Sequence, residues 1–386
     1  MTLKWMLGAL VALGAVILAA TPARAQDGAF TTPAQHVTIM DGASGLVLYC
    51  NVCDAPMPPA SMSKLMTVLL VAERLQSGQI NMETRFRVSE RAWRQGAVSD
   101  GSHMFLELNS EVSVRDLLRG LIIVSANDAC VALAEGIAGS EEVFVAEMNQ
   151  RAQALGLRTA HFRNATGLPD PDHVISSADL ARLARHLIVT YPELYRFYSE
   201  REFSYNNHRQ ENRNPLLGGF DGADGVKTGH TNDSGFGLVG SAVLDRQRRI
   251  IVFNGLNSMA ERRSESIRIM RAAFHDFGAT QLYAAGDQVG EAQVRLGSRR
   301  AVPLLAQGDI AVGGARGVQA GLTAHIAYAG PLPSPIREGE VVAELVVEGA
   351  GFETQRFPLV ASRGIGRANP FARAWEGLRL TLFGAE

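Results

Sequence analysis

Ser61-Met62-Ser63-Lys64 places a hydroxyl and an amine three residues apart. On a helix, positions i and i+3 share a face, so this spacing sets Lys64 beside Ser61. A serine hydroxyl attacks a carbonyl once a neighbouring base takes its proton. A buried lysine can be that base, because desolvation lowers its pKa. Arginine cannot, since it stays charged in proteins. Composition sharpens the point: Lys4, Lys64 and Lys227 are the only lysines among 37 Lys and Arg residues. A chain that takes arginine almost everywhere keeps lysine where a compact, titratable amine is required. Pro58, Pro59 and Ala60 lead into an apolar helical pattern, so Ser61 falls at a helix start. The helix dipole there favours negative charge on its oxygen. Alone, S-x-x-K is a common tetrapeptide and carries little weight.

Two further triplets follow. Ser125-Ala126-Asn127 falls at an expected helix break, and Lys227-Thr228-Gly229 falls in a strand-like run. The order S-x-x-K, S-x-N, K-T-G resembles the signature of penicillin-binding proteins and serine β-lactamases. The segments "PASMSKLMT", "SANDACVALAEGIAG", "HFRNATGLPD", "NRNPLL", "DGVKTGHT" and "ERRSES" narrow the resemblance. They are similar to the low-molecular-mass D-alanyl-D-alanine carboxypeptidases, peptidase family S11, over nearly the whole mature chain. Ala126 departs from the glycine of many relatives, and Cys50 and Cys53 belong to no motif of the family.

The resemblance implies a role for each matching residue. Ser61 attacks the penultimate D-alanine carbonyl and Lys64 is its base. Ser125 relays a proton to the leaving amine, and Asn127 orients Lys64 and the substrate amide. Lys227 adds positive charge, and Thr228 of the Lys227-Thr228-Gly229 triplet binds the terminal carboxylate. The backbone N–H groups of Ser61 and His230 form an oxyanion hole. Arg262 matches a family arginine near the carboxylate end, with Arg263 adjacent as the alternative. The scheme requires no metal and no cofactor. Its partners are peptidoglycan stem peptides and β-lactam inhibitors.

Three rival readings stay open. A class A β-lactamase needs a glutamate roughly 36 residues after the S-x-N serine; the window "AHFRNATG" holds no acid. A transpeptidase or endopeptidase shares the same acyl-enzyme and differs in the acceptor. A non-enzymatic penicillin-binding scaffold would have no need of Ser61 and Lys64, and both are present.

The elements that must position these residues are legible in outline. "HVTIMDGASGLVLYCN" reads as a β-hairpin. "SKLMTVLLVAERLQSG" is a helix ending at Gly78. "RQGAVSDGSHMF" reads as a mobile loop, and the stretch from Ser113 to Gly139 as two helices broken near Ser125. Helices start at Ser140 and at Ser176 or Ser177. The Gly-rich run from Asp224 to Leu256 reads as neighbouring antiparallel strands, and "AERRSESIRIMRAAFHDFG" as a helix. The expected class is α/β (α+β): a serine β-lactamase/transpeptidase-like domain with an antiparallel sheet and a helical cluster. A small all-β domain and a C-terminal amphipathic helix follow. The expected divisions are a signal peptide over 1–25, a catalytic domain over 26–278, a β-rich domain over 279–362 and the helix over 363–386.

The leader rests on Lys4, the apolar run "WMLGALVALGAVILAA" and the small residues Ala23 and Ala25 before Gln26. It predicts an exported protein, at the periplasmic face of the inner membrane. In an oxidising compartment Cys50 and Cys53 can form a short-loop disulfide, while Cys130 lies on an apolar helical face as a core thiol. The stripe Phe371, Trp375, Leu378 and Leu382 carries flanking arginines and fits a helix lying on an anionic membrane surface. The alternatives for it are packing on the domain or an oligomer contact. A formal net charge of −2 gives no footprint for nucleic acid.

Overall fold

The structure is a computed structural model that describes residues 30–97 and 101–370. The β-branched and aromatic runs His36–Asp41 (β1) and Val47–Asn51 (β2) form the expected hairpin. Three later strands join it: Ala223–Thr231 (β3), Gly235–Leu244 (β4) and Gln247–Leu256 (β5). The antiparallel order is β2-β1-β5-β4-β3. The strand that carries Lys227-Thr228-Gly229 therefore lies at an edge, with one side of its backbone unpaired in the sheet.

Five long helices accompany this sheet: Lys64–Gln76 (α1), Asn127–Ala138 (α2), Glu141–Ala154 (α3), Ser177–Thr190 (α4) and Met259–His275 (α5). Helix α4 covers β1 and β5, and α5 covers β4 and β5. Ile250, Ile251, Val252 and Phe253 are consequently buried in succession, the mark of a strand enclosed on both faces. Helix α1 is buried at every position from Lys64 to Ala72, because α2, α3 and α4 all pack against it. The serine starts hold: Ser140 Oγ accepts from Val143 N–H at 3.3 Å and Ser176 Oγ from Asp179 N–H at 3.2 Å.

The loop reading of "RQGAVSDGSHMF" needs correction at the two ends that the described residues cover. Glu90–Ala97 is helical, and residues 98–100 lie outside the described residues. Met104 and Leu106 are buried. Their N–H groups donate to the buried carboxylate of Asp128 at 3.1 Å and 3.2 Å, so the segment is tied to α2. Asp128→Ala leaves those N–H groups and that of Ala129 without their acceptor. It is expected to cost about 2–4 kcal/mol of stability, read by urea unfolding.

Cys50 and Cys53 are joined in a disulfide. The Cys53 carbonyl accepts from Ala178 N–H at 3.0 Å, which ties the hairpin exit to α4. Cys130 is the buried core thiol expected, and its Sγ donates to the Ala126 carbonyl at 3.1 Å.

From Phe277 the chain turns to short strands. Six of them form one sheet around a core that includes Val302, Leu304, Leu345 and Leu359. The one departure from an all-β domain is the helical turn Arg316–Gln319. The helix expected from residue 363 does not begin there. Ile365 is buried and bridges Ile336, and Arg367 bridges Gly297. Gly364 and Gly366 are poor helix formers, and burying Ile365 against the β core decides the local structure. The apolar stripe from Phe371 onward lies outside the described residues, as does the leader over 1–25.

Candidate active site

Pro59 leads into a 3-10 turn, Ala60–Ser63, and α1 begins at Lys64. Ser61 thus sits in the turn before the helix rather than on it. The i,i+3 neighbour relation survives, because a 3-10 turn repeats every three residues. Lys64 Nζ donates to Ser61 Oγ at 2.8 Å and to Asn127 Oδ1 at 2.8 Å, and also to the Thr166 carbonyl. The lysine is 0 % exposed. Burial pushes its pKa down to about 8, so about a tenth of it is neutral at pH 7. In that neutral form the bond to Ser61 reverses, with the hydroxyl donating to a free lone pair. The arrangement is a serine hydroxyl held against a base poised to take its proton.

Asn127 and Ser125 arrive through the expected break. The helix Val114–Arg119 runs into a π turn over Gly120–Val124, which ends at Ser125 with φ +65°. A non-glycine residue in this left-handed region costs about 1–3 kcal/mol, a cost met most often at functional sites. Asn127 opens α2, and its N–H donates to the Ser102 carbonyl at 2.7 Å. Both side chains are buried, 4 % exposed, and both line the cleft that Ser61 opens onto.

Strand β3 forms the opposite wall. A Cβ on Gly229 would sit 2.8 Å from the Pro59 carbonyl oxygen and 3.3 Å from Ala60 Cβ. Glycine there lets the strand lie against the nucleophile turn. Lys227 and Thr228 are buried beside it. Burial holds the Lys227 pKa well below the usual lysine range, and the Lys64 and Arg213 cations lower it further. Its Nζ donates to the Thr228 carbonyl at 3.2 Å. His230 is exposed and stacks on Phe236, ring centroids 3.8 Å apart. Arg262 reaches over from α5, with Cζ 5.4 Å from that same ring and a 3.4 Å bond to the Gly229 carbonyl. Burial lowers its pKa to about 10, so it remains cationic at neutral pH. Arg263 points no such way: it is exposed and off the cleft wall.

The structure therefore brings Ser61, Lys64, Ser125, Asn127, Lys227, Thr228, Gly229, His230 and Arg262 to one cleft of about 310 Å³. It adds three groups that sequence reasoning passed over. Arg213 lines the cleft and donates to Ser102 Oγ. It sits in "NRNPLL", where Asn212 Oδ1 accepts from Asn214 N–H and Asn214 Oδ1 from Leu216 N–H. Two adjacent asparagine turns were the available sign of a shaped loop. Ser102 belongs to the stretch read as mobile. The Thr166 carbonyl has no residue-type signature. Asn164 Oδ1 aims it by accepting from the N–H groups of Thr166, Gly167 and Leu168.

Comparison with known proteins gives concordant results. Residues 21–257 match the family model described as D-alanyl-D-alanine carboxypeptidase, Peptidase_S11. Residues 277–367 match the penicillin-binding protein 5 C-terminal domain. The chain is 36% identical over 379 residues to the D-alanyl-D-alanine carboxypeptidase DacA of Haemophilus influenzae, covering 96% of each. The crystal structure of penicillin-binding protein 5 from the same organism superposes with a TM-score of 0.74 at 35% identity, over 88% of this chain and 99% of that one. Penicillin-binding protein D2 of Listeria monocytogenes, solved in its cefotaxime-bound form, matches at 29% identity and TM-score 0.58, over 64% of this chain and 98% of that one. With the motif geometry, the two-domain match and these identities in agreement, the chain belongs to the peptidase S11 family of D-alanyl-D-alanine carboxypeptidases.

Proposed function

We propose that this protein is a serine-type D-Ala-D-Ala carboxypeptidase that removes the terminal D-alanine from peptidoglycan pentapeptides. The observation that carries the reading is the buried Lys64 amine, with depressed pKa, bonded to Ser61 Oγ. Ser61 Oγ attacks the carbonyl carbon of the penultimate D-alanine while Lys64 takes its proton. The developing oxyanion is received by the N–H groups of Ser61 and His230. The C–N bond then breaks as the proton that Lys64 took is relayed through the Ser125 hydroxyl to the departing D-alanine amine, which leaves Lys64 neutral again. Water attacks the acyl-enzyme with Lys64 again as base, which frees the shortened peptide and restores Ser61.

Substrate position follows from edge and charge. The unpaired edge of β3 accepts an extended peptide as an added strand. Thr228, Arg262 and Arg213 meet the terminal carboxylate. Arg213→Gln is expected to raise KM for a D-Ala-D-Ala peptide about tenfold, with a smaller change in kcat, read by D-alanine release. For the whole reading, the decisive assay incubates the mature protein with a pentapeptide. D-alanine should be released, penicillin should block that release, and the penicilloyl mass should map to the Ser61 peptide. Failure to release D-alanine from any such peptide sinks the reading.

The class A β-lactamase alternative lacks its base. The stretch where that glutamate is sought offers Lys64 the Thr166 carbonyl and no carboxylate. A penicilloyl-enzyme is therefore expected to persist, and penicillin to inhibit rather than turn over.

We further read the protein as exported and held at the periplasmic face of the inner membrane. The leader and the apolar tail stripe support this, and so does the end of the β domain. Arg295, Arg299, Arg300, Arg337, Arg363 and Arg367 are all exposed there. The bridges Gly297–Arg367 and Ile336–Ile365 draw their three segments together. A basic residue near an anionic bilayer gains about 1 kcal/mol. Removing residues 371–386 is expected to move the protein from the membrane to the soluble fraction on sedimentation. A full-length protein that stays soluble overturns the anchor.

A further inference from the structure

Ser102 joins two groups of the catalytic cleft. Its carbonyl accepts from Asn127 N–H at 2.7 Å, and its Oγ accepts from Arg213 Nη1. What holds Ser102 lies outside the cleft, in the segment that follows it. Phe105 there has φ +64°, an outlier for a bulky residue. Such a backbone persists only where its surroundings fix it. One hold is the Asp128 carboxylate, which accepts from the N–H groups of Met104 and Leu106.

The other hold is a hairpin. The strands Glu202–Tyr205 and His208–Glu211 pair antiparallel. They turn at Asn206-Asn207, with φ +46° and +61°, the left-handed pair that a two-residue hairpin turn requires and asparagine tolerates. Residues 208 and 210 then share one face of their strand. His208 stacks on the Phe105 ring, with centroids 3.7 Å and planes 17° apart. The same ring meets His103 edge-on at 4.5 Å. Gln210 Nε2 donates to the His103 carbonyl at 3.1 Å. Asn206 Nδ2 donates to the Phe105 carbonyl at 3.3 Å and to Glu107 Oε1 at 3.0 Å. Residues 104 and 106 are thus held by Asp128, and residues 103, 105 and 107 by the hairpin.

The hairpin also fixes the other partner of Ser102. Asn212, the residue after its last strand, donates its N–H to the Arg201 carbonyl at 2.8 Å and its Nδ2 to the Glu200 carbonyl at 2.9 Å. Arg213 comes next. Both ends of the Arg213–Ser102 bond are therefore set from one hairpin, one through the chain and one through the Phe105 stack. His208 itself is exposed and off the cleft wall. We propose that His208 is a positioning residue: its ring fixes Phe105, and through residues 103–107 it sets Ser102 and the Arg213 guanidinium. The hairpin so governs capture of the substrate carboxylate without touching substrate. This inference rests on the carboxypeptidase reading above.

The test measures D-alanine release from a D-Ala-D-Ala peptide by the full-length protein. His208→Ala should raise KM about threefold, the scale of one lost ring contact, with kcat within about twofold of wild type. His208→Phe keeps a ring for the stack and should restore the wild-type KM. Gln210→Ala loosens the same segment by another route and should raise KM about twofold. In an Arg213→Gln background His208→Ala should raise KM no further, because the group it positions is gone. A residue that only supports the fold would not be rescued by phenylalanine, and its effect would multiply with that of Arg213→Gln. Circular dichroism confirms that each variant is folded. With an active wild type, unchanged KM in both His208→Ala and Gln210→Ala overturns the positioning role. So does a rise that His208→Phe leaves in place, or one that persists in the Arg213→Gln background. No release by the wild type overturns the carboxypeptidase reading and this role together.

Discussion

Lys64→Arg is expected to slow acylation by benzylpenicillin at least about a thousandfold, the scale on which a positioned general base acts. The substitution keeps a cation next to Ser61 and removes the ability to lose a proton. It therefore separates charge from basicity, which a change to alanine does not. The wild type should show a matching pH dependence. Lys64 accepts the serine proton only when neutral, and its pKa is lowered to about 8 by burial. The acylation rate should accordingly climb as pH rises through about 8 and then level off. An unperturbed lysine would place the same climb near 10.4. The arginine variant should lack the limb altogether. Acylation is read with a fluorescent penicillin, and far-UV circular dichroism checks that the fold is kept. Near-normal acylation in Lys64→Arg would remove Lys64 from the role of base.

The chemistry was legible because it depends on residue type and order. Ser61, Lys64, Ser125, Asn127 and Lys227 could be picked out because a nucleophile, a titratable amine and their partners cannot be exchanged for other side chains. The supports were less legible because they depend on backbone. The Thr166 carbonyl holds Lys64, yet any residue presents a carbonyl, so threonine at that place says nothing. The helix start expected at Ser61 takes the form of a 3-10 turn that leads into the α-helix, a difference of hydrogen-bond pattern that periodicity does not resolve over four residues. The loop before Met104 looked mobile because it is polar and glycine-bearing. What fixes Met104 and Leu106 is the buried carboxylate of Asp128, remote in sequence. At the end of the β domain the expected helix takes in Arg363 and Arg367, the first of the arginines that flank the apolar stripe from Phe371. Ile365, fitted between two glycines into the β core, overruled that pattern. Elements with a long period survived, and short segments whose structure is set by a distant partner did not.

Gly167→Ala is expected to be nearly as damaging as the loss of the base, though it touches no reacting atom. Gly167 has φ +79°, and a Cβ there would lie 2.1 Å from the Ala60 carbonyl oxygen and 2.5 Å from the Ala60 carbonyl carbon. These are backbone atoms of the residue before Ser61. They have no room to retreat, because β3 presses on the same turn, where even a Cβ on Gly229 would stand 2.8 Å from the Pro59 carbonyl. The nucleophile turn is held between two glycines, one on the strand and one on the loop. Whichever side yields, the pair is pulled apart: either the Thr166 carbonyl beside Gly167 moves from Lys64 Nζ, or the turn that carries Ser61 does. Gly139→Ala is the control. It has a similar φ of +81° with nothing within 4 Å of its would-be Cβ, so it bears the left-handed cost of about 1–2 kcal/mol without the collision. Penicillin acylation should fall at least about a hundredfold in Gly167→Ala and stay near wild type in Gly139→Ala, with both proteins folded. Equal acylation in the two variants would mean that the turn tolerates displacement, and that close contact between loop and turn is not what aligns Ser61 with its base.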